Sequence, residues 1–372
     1  MINDKCLRIL VVDDTAVYRM IMSEILSGLP GVEVVGTAHN GKAAMSRIAV
    51  LKPNLLVLDI MMPEMDGLEV LNRIKTEARD VGAIMLSAAS RDGGDITMKA
   101  LELGAFDFIP KPETGSLEEN KKAIKNTIGP MLKAFARQKE IKSILSKIPP
   151  SPQTRPRNMA PGDGQDVIQR MKSLAGHTRQ KSKAVAIGIS TGGPKALGEM
   201  MPALPPDLGV PIFIAQHMPP VFTRSLANKL DSECALRVKE AQDGEPAIPN
   251  TVYIAPGGKQ MKVAGGADQR SKIVRITNDP PENSCRPSAD YLFRSIALHY
   301  GGRATGVIMT GMGSDGTLGL KLMKEKGATV IAQDEKTCVV YGMPKESAEA
   351  EIVDVIAPLN RIAQEICRTV KG

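Results

Sequence analysis

Apolar and polar positions along this chain fall into a repeating order: a short aliphatic run, then a longer stretch with helical spacing. In the first third the runs are "LRILVVDD", "VEVVGTA", "NLLVLDI", "GAIMLSA" and "FDFIPKP", with helix-length segments between them. That alternation predicts a parallel sheet covered by helices on both faces. The pattern resumes after residue 183. There "AVAIGI", "VPIFIAQ", "TVYIAP", "ATGVIMTG" and "ATVIAQ" read as strands, and "PKALGEMM" and "TLGLKLMKEKG" as helices. The expectation is an α/β protein of two doubly wound parallel-sheet domains, 1–128 and 184–372, joined by a flexible linker over 129–183.

The linker is read from composition. "SKIPPSPQTRPRNMAPGDGQD" (146–166) is rich in Pro, Gly and polar residues and cannot bury enough apolar surface to offset its ordering entropy. Upstream, Ser116 and Glu119 form a capping box that opens a helix over "SLEENKKAIKNTI". Gly129-Pro130 is expected to end that helix, with another over 131–147.

Charge changes the picture only when it is located. The net +7 could signal a nucleic-acid binder, yet residues 121–183 carry fifteen Lys/Arg against three acids, a net +12 that leaves −5 for the rest. This basic stretch reads first as a solvated spacer; attraction to an acidic partner or anionic lipid is the functional alternative. The five cysteines are scattered and contain no C-x-x-C pair, so free thiols are expected. No apolar run reaches membrane-span length and the N-terminus lacks a signal-peptide pattern, so a cytoplasmic monomer without membrane insertion is expected.

In parallel α/β sheets ligands bind beyond the carboxyl ends of the strands. In the first half those ends carry Asp13 and Asp14, Asp59, Ser87 and Lys111. Converging carboxylates call for a cation, and an all-oxygen ligand set suits Mg²⁺. A metal-neutralised carboxylate can attack a phosphoryl group while Ser87 and Lys111 hold the transferred oxygens. The motifs "VVDDT", "LDIMMPEMDGLE", "LSA" and "FIPKP" resemble the receiver domain of bacterial response regulators. That resemblance implies a flavodoxin-like strand order, with Asp59 phosphorylated and Asp13, Asp14 and Asp59 around the Mg²⁺. It also makes Ser87 and Lys111 the switch residues, with Phe108 the aromatic that follows them.

In the second half "GISTGGP" matches neither a P-loop nor a dinucleotide fingerprint. It does match G-x-S-x-G between a strand and a helix, the setting of a nucleophile elbow that presents Ser190. His217 follows the strand "VPIFIAQ" at the same sheet edge and is the favoured base among four histidines. Asp315, after "ATGVIMTGMGS", is the favoured orienting acid over Asp243, Asp279, Asp290 and Asp334. The glycine-rich turn before it could aim the Met312 N–H at an oxyanion. The order Ser, His, Asp differs from that of α/β-hydrolases, so another fold is expected, Rossmann-like in layout.

The stretches "GISTGGP", "QHMPPVFTRSLANKL", "VYIAPGGKQM", "RPSADYLFRSIA", "TGMGSDGTLGL" and "VVYGMPKESA" resemble the chemotaxis protein-glutamate methylesterases, the CheB family. The resemblance implies hydrolysis of γ-glutamyl methyl esters on chemoreceptor cytoplasmic helices with release of methanol, and deamidation of receptor glutamines. It implies Ser190 as nucleophile, His217 as base and Asp315 as orienting acid, with no cofactor for the esterase chemistry. Chemoreceptors and a chemotaxis histidine kinase are the implied partners, and nucleic acid is not among them. Ile189 stands where the family commonly has alanine, and the linker is longer and more basic than usual. Two domains on a linker further predict that the receiver covers the active site until Asp59 is phosphorylated. The rival readings are a response regulator with a DNA-binding output and a non-catalytic, phosphorylation-dependent binding module.

Overall fold

The structure is a computed structural model that describes residues 6–112, 114–147, 180–268 and 271–372. The first half alternates as predicted: β1 (Leu7–Val12), α1 (Ala16–Ser27), β2 (Val32–Ala38), α2 (Gly41–Leu51), β3 (Leu55–Asp59), α3 (Gly67–Glu77), β4 (Gly82–Ala88), α4 (Arg91–Glu102), β5 (Asp107–Lys111) and α5 (Leu117–Lys147). The strands form one parallel sheet in the order β2-β1-β3-β4-β5, the flavodoxin-like order. Every residue of β3 is buried because helices lie on both faces, which is why the run reads as continuously apolar. The Ser116–Glu119 capping box forms, each side chain meeting the other residue's backbone N–H.

One boundary differs from expectation. Helix α5 runs unbroken through Gly129-Pro130, with the proline inside it. Proline removes one intrahelical hydrogen bond. Ile124, Ile128, Leu132 and Phe135, spaced three or four apart on either side of it, are all buried against the sheet, and that shared apolar face keeps the helix continuous. Most of the basic, proline-rich stretch (148–179) lies outside the described residues.

The second half contains β6 (Ala184–Ile189), α6 (Gly193–Met200), β7 (Ile212–Gln216), α7 (Phe222–Glu233), β8 (Arg237–Glu240), β9 (Thr251–Ile254), β10 (Gln260–Gly265), β11 (Lys272–Thr277), α8 (Ala289–Tyr300), β12 (Ala304–Ile308), α9 (Thr317–Glu325), β13 (Thr329–Gln333), α10 (Met343–Glu349), β14 (Val355–Ala357) and α11 (Leu359–Lys371). Seven strands make a parallel sheet ordered β14-β13-β12-β6-β7-β9-β8, and β10 with β11 forms a separate antiparallel hairpin. The strand order reverses between β12 and β6, so the crevice of a doubly wound sheet opens at their carboxyl ends. All five predicted strands are present. The four unpredicted ones are short or polar, and the two in the large sheet lie at its edges, β8 (RVKE) and β14 (VIA).

The two halves pack against each other. Helix α4 lies on α7, and one buried apolar cluster draws Met98, Leu101 and Phe108 from the first half with Met218, Phe222 and Leu226 from the second. The Phe108 and Phe222 ring centroids are 4.5 Å apart. Lys229 pairs with Glu102 at 2.7 Å across the seam.

Candidate active site and phosphorylation site

Strand ends β1, β3 and β5 bring Asp13, Asp59 and Lys111 together. Lys111 Nζ lies 2.9 Å from Asp13 Oδ2 and 2.8 Å from Asp59 Oδ2, with both carboxylates buried. Burial pushes the Asp59 carboxyl above its ordinary range. The Lys111 ammonium opposes that shift, and Asp13 and Asp14 add to it. Carboxylate oxygens of Asp13, Asp14 and Asp59 lie within 4.8 Å of one another. Asp13 Oδ2 is buried and its cationic neighbour is the Lys111 ammonium, with no aligned hydrogen bond to it. The residues therefore form an acidic pocket compatible with a divalent metal. The Ser87 hydroxyl lies 2.6 Å from Thr97 Oγ1. Phe108, three residues before Lys111 on β5, is turned into the seam against Phe222.

The second site sits in the crevice of the larger sheet. Ser190 follows β6, His217 follows β7, and Asp315 lies in the turn after β12, three neighbouring strands. Backbone hydrogen bonds fix the first two: Ser190 N donates to Thr310 O at 3.0 Å, and His217 N donates to Ile189 O at 3.0 Å. Gly193 N donates to Ser190 O at 2.8 Å and closes the tight turn into α6. The left-handed residue of that turn is Gly192 (φ +76°), not the serine. The turn is thus built without backbone strain on Ser190. Ser190 Oγ makes no hydrogen bond among the described residues and is half-buried.

His217 Nε2 lies 2.7 Å from Asp315 Oδ2. That contact places the ring hydrogen on Nε2 and leaves Nδ1 as the proton acceptor. Asp315 also receives hydrogen bonds from Ser288 Oγ (2.7 Å), Ala289 N (2.6 Å), Asn283 Nδ2 (3.0 Å) and Asp290 N (3.2 Å). It sits at the amino end of α8, where backbone N–H groups and the helix dipole favour an anion. Its pKa is pulled well below the carboxylate range: burial opposes this, and His217, Asn283 and Ser288 outweigh burial. For His217, burial would lower the pKa, but Asp315 and Cys285 outweigh it and push it up to about 9. The Met312 N–H, in the turn beside Ser190, donates to no acceptor among the described residues.

Comparison with known proteins decides the family. Residues 185–366 match the CheB methylesterase family, and residues 9–124 match the response regulator receiver domain. A protein-glutamate methylesterase/protein-glutamine glutaminase of Desulfotalea psychrophila is 51% identical over 99% of both chains. The chain belongs to the CheB methylesterase family. Another member, from Geobacillus kaustophilus, is 42% identical over 98% of this chain and 99% of its own. The CheB methylesterase catalytic domain of Thermotoga maritima is 41% identical, spans 51% of this chain and 99% of its own, and superposes with a TM-score of 0.49.

Within this CheB-family chain the structure adds residues that sequence reasoning did not assign. Ser288 caps α8, accepting from Tyr291 N, and donates its hydroxyl to Asp315. Asp290, set aside as an unconstrained alternative acid, is buried beside Asp315 and accepts from Gly319 N and Asn283 Nδ2. The stretch "NSCRPSAD" was the available signal, since a serine ahead of a helical pattern marks a cap. Nothing local tied it to an aspartate about twenty-five residues onward. Ile189, the departure from the family's usual alanine, is fully buried in the core. No helix among the described residues is long and apolar enough to cross a membrane.

Proposed function

We propose that this chain hydrolyses γ-glutamyl methyl esters of chemoreceptors and deamidates receptor glutamines, with Ser190, His217 and Asp315 as its catalytic residues. The observation that carries the reading is the His217–Asp315 contact of 2.7 Å, with Asp315 buried, on the sheet edge that presents Ser190. Ser190 Oγ attacks the γ-carbonyl carbon as its proton passes to His217 Nδ1, and Asp315 holds the imidazolium through Nε2. The oxyanion of the tetrahedral intermediate takes the Met312 N–H. Collapse breaks the bond to the leaving group, which departs as methanol or ammonia with the proton from His217. Water then attacks the acyl-enzyme with His217 again as base, releasing the glutamate side chain and restoring Ser190.

The same reading gives the first half its role. Residues 1–128 act as a receiver phosphorylated on Asp59, with Mg²⁺ held by Asp13, Asp14 and Asp59; the metal neutralises the carboxylates that would otherwise repel a phosphoryl donor. A chemotaxis histidine kinase is the phosphate source. Docking of α4 and Phe108 on α7 supports control of the esterase by this half. The test is methanol release from a methylated chemoreceptor fragment, for wild type and Ser190→Ala, with and without a phosphodonor. Loss of release in Ser190→Ala alone supports the reading. Equal release from both proteins removes Ser190 as nucleophile.

A further inference from the structure

One further group in the crevice neither gives nor takes a proton in this chemistry. Cys285 lies in the turn before α8, and its Sγ is 3.5 Å from His217 Nδ1, the nitrogen that must take the serine's proton. The thiol is held there from both sides of its own backbone. Cys285 N donates to Glu282 O at 2.7 Å, and Cys285 O accepts from Gln260 Nε2 at 3.4 Å.

We propose that His217 Nδ1 and Cys285 Sγ form an inhibitory binding site for a soft divalent cation of the zinc class. Three features of the geometry point to a metal. Zinc bound tetrahedrally with Zn–N of about 2.0–2.1 Å and Zn–S of about 2.3 Å separates the two ligand atoms by about 3.5–3.6 Å. The observed separation of 3.5 Å is that span. A metal-bound histidine characteristically donates its other ring N–H to a carboxylate, which fixes the ring and strengthens the ligand nitrogen. Asp315 at 2.7 Å from Nε2 is that carboxylate, itself held by donors from Asn283, Ser288 and the start of α8. His217, Cys285 and Asp315 also offer ligand atoms within 4.8 Å of one another, the second such group among the described residues besides the receiver's aspartates.

The donor types separate the two sites. The receiver group offers oxygens alone and suits hard cations, whereas a thiolate with an imidazole selects zinc-class ions. With two protein ligands the remaining positions fall to water or to the Ser190 hydroxyl. On binding, the Cys285 thiol and the protonated Nδ1 of His217 each lose a proton to solvent, and the metal takes both freed lone pairs. Ser190 then has no base, and hydrolysis stops until the ion leaves. Inhibition rests on the assignment of His217 as base; the binding site does not.

The experiment uses the full chain, reduced and stripped of metal, titrated with zinc chloride during methanol release and, separately, with cobalt(II) under absorption spectroscopy. Wild type should lose at least about tenfold of its rate at saturating zinc and regain it with EDTA. Cys285→Ser, measured against its own metal-free rate, should need at least about tenfold more zinc. Cobalt should give wild type a thiolate charge-transfer band that Cys285→Ser lacks. Undiminished zinc sensitivity in Cys285→Ser overturns the proposal, as does a cobalt spectrum that the substitution leaves unchanged. If metal-free wild type released no methanol, the esterase reading would fall, and the cobalt band would still decide whether the site exists.

Discussion

With His217 as the proposed base, its pairing with Asp315 should set the pH dependence of methanol release, and Asp315→Asn isolates that pairing. In the wild-type arrangement the imidazole is pushed from its ordinary 6.5 up to about 9. That rise corresponds to about 3 kcal/mol of preference for the imidazolium, at about 1.4 kcal/mol per tenfold in proton affinity. Solvent screening takes little from it, since the side chains of His217 and Asp315 are only 13% and 2% exposed. In the proposed mechanism only neutral His217 accepts the serine's proton, which would leave about 1% of the protein competent at pH 7. Initial rates of methanol release, followed from neutral to strongly alkaline pH, should climb about tenfold per pH unit and level off near 9. In Asp315→Asn the burial that lowers the imidazole pKa loses its main opposition. The inflection should then move down towards 6.5, and the plateau should fall because the ring is no longer held in one tautomer. Stability carries the matching sign. A raised histidine pKa stabilises the fold fully below 6.5, and that contribution fades as pH rises through about 9, so the thermal gap between wild type and Asp315→Asn should close at alkaline pH. A wild-type rate already level at pH 7, or an inflection unmoved by Asp315→Asn, would refute the reasoning.

Three further outcomes follow from the same contacts. Gly311→Ala would place a Cβ 2.7 Å from Ser190 Cβ and 2.4 Å from Met343 Sδ, which displaces the nucleophile. A misplacement of about 1 Å costs about a hundredfold, so kcat/KM should fall by that order while circular dichroism reports a folded protein, and an unchanged rate would disprove close packing there. Phe108→Ala removes a ring pair across the seam worth about 0.5–1.5 kcal/mol. The unphosphorylated protein should release methanol about 2- to 12-fold faster if receiver docking limits the esterase, and no change would detach Phe108 from control. Asp59→Asn removes the acceptor oxygen beside Lys111, so a labelled phosphodonor should no longer mark the protein or stimulate the esterase, and retained label would move the acceptor to another residue.

Much of this protein was legible from local pattern. The ten predicted strands rest on apolar runs, most of them buried on both faces, although the edge strand β2 is only partly buried, and a strand's carboxyl end is marked by the residue that follows it. That made Asp13, Asp59, Lys111, Ser190 and His217 readable as residues of two sheet edges. Asp315 was readable from its glycine-rich turn. Short edge strands such as β8 and β14 lacked such a signal, because an edge strand is half-solvated and its sequence carries little apolar pattern. Pro130 misled for the opposite reason: the local rule against proline was outweighed by four buried side chains on one helix face.

By itself, then, the sequence determined two parallel-sheet domains and the residue types at their functional edges, because those depend on burial periodicity and on neighbours along the chain. Tertiary structure alone decided the rest. It chose which ring nitrogen of His217 meets Asp315, gathered Asn283, Ser288 and the amino end of α8 around that carboxylate, set Cys285 against the base, and turned Phe108 into the seam with Phe222. Each of these is a contact between residues far apart in the chain. Its geometry is fixed by how helices and strands pack, and no local pattern of hydrophobicity or charge encodes it.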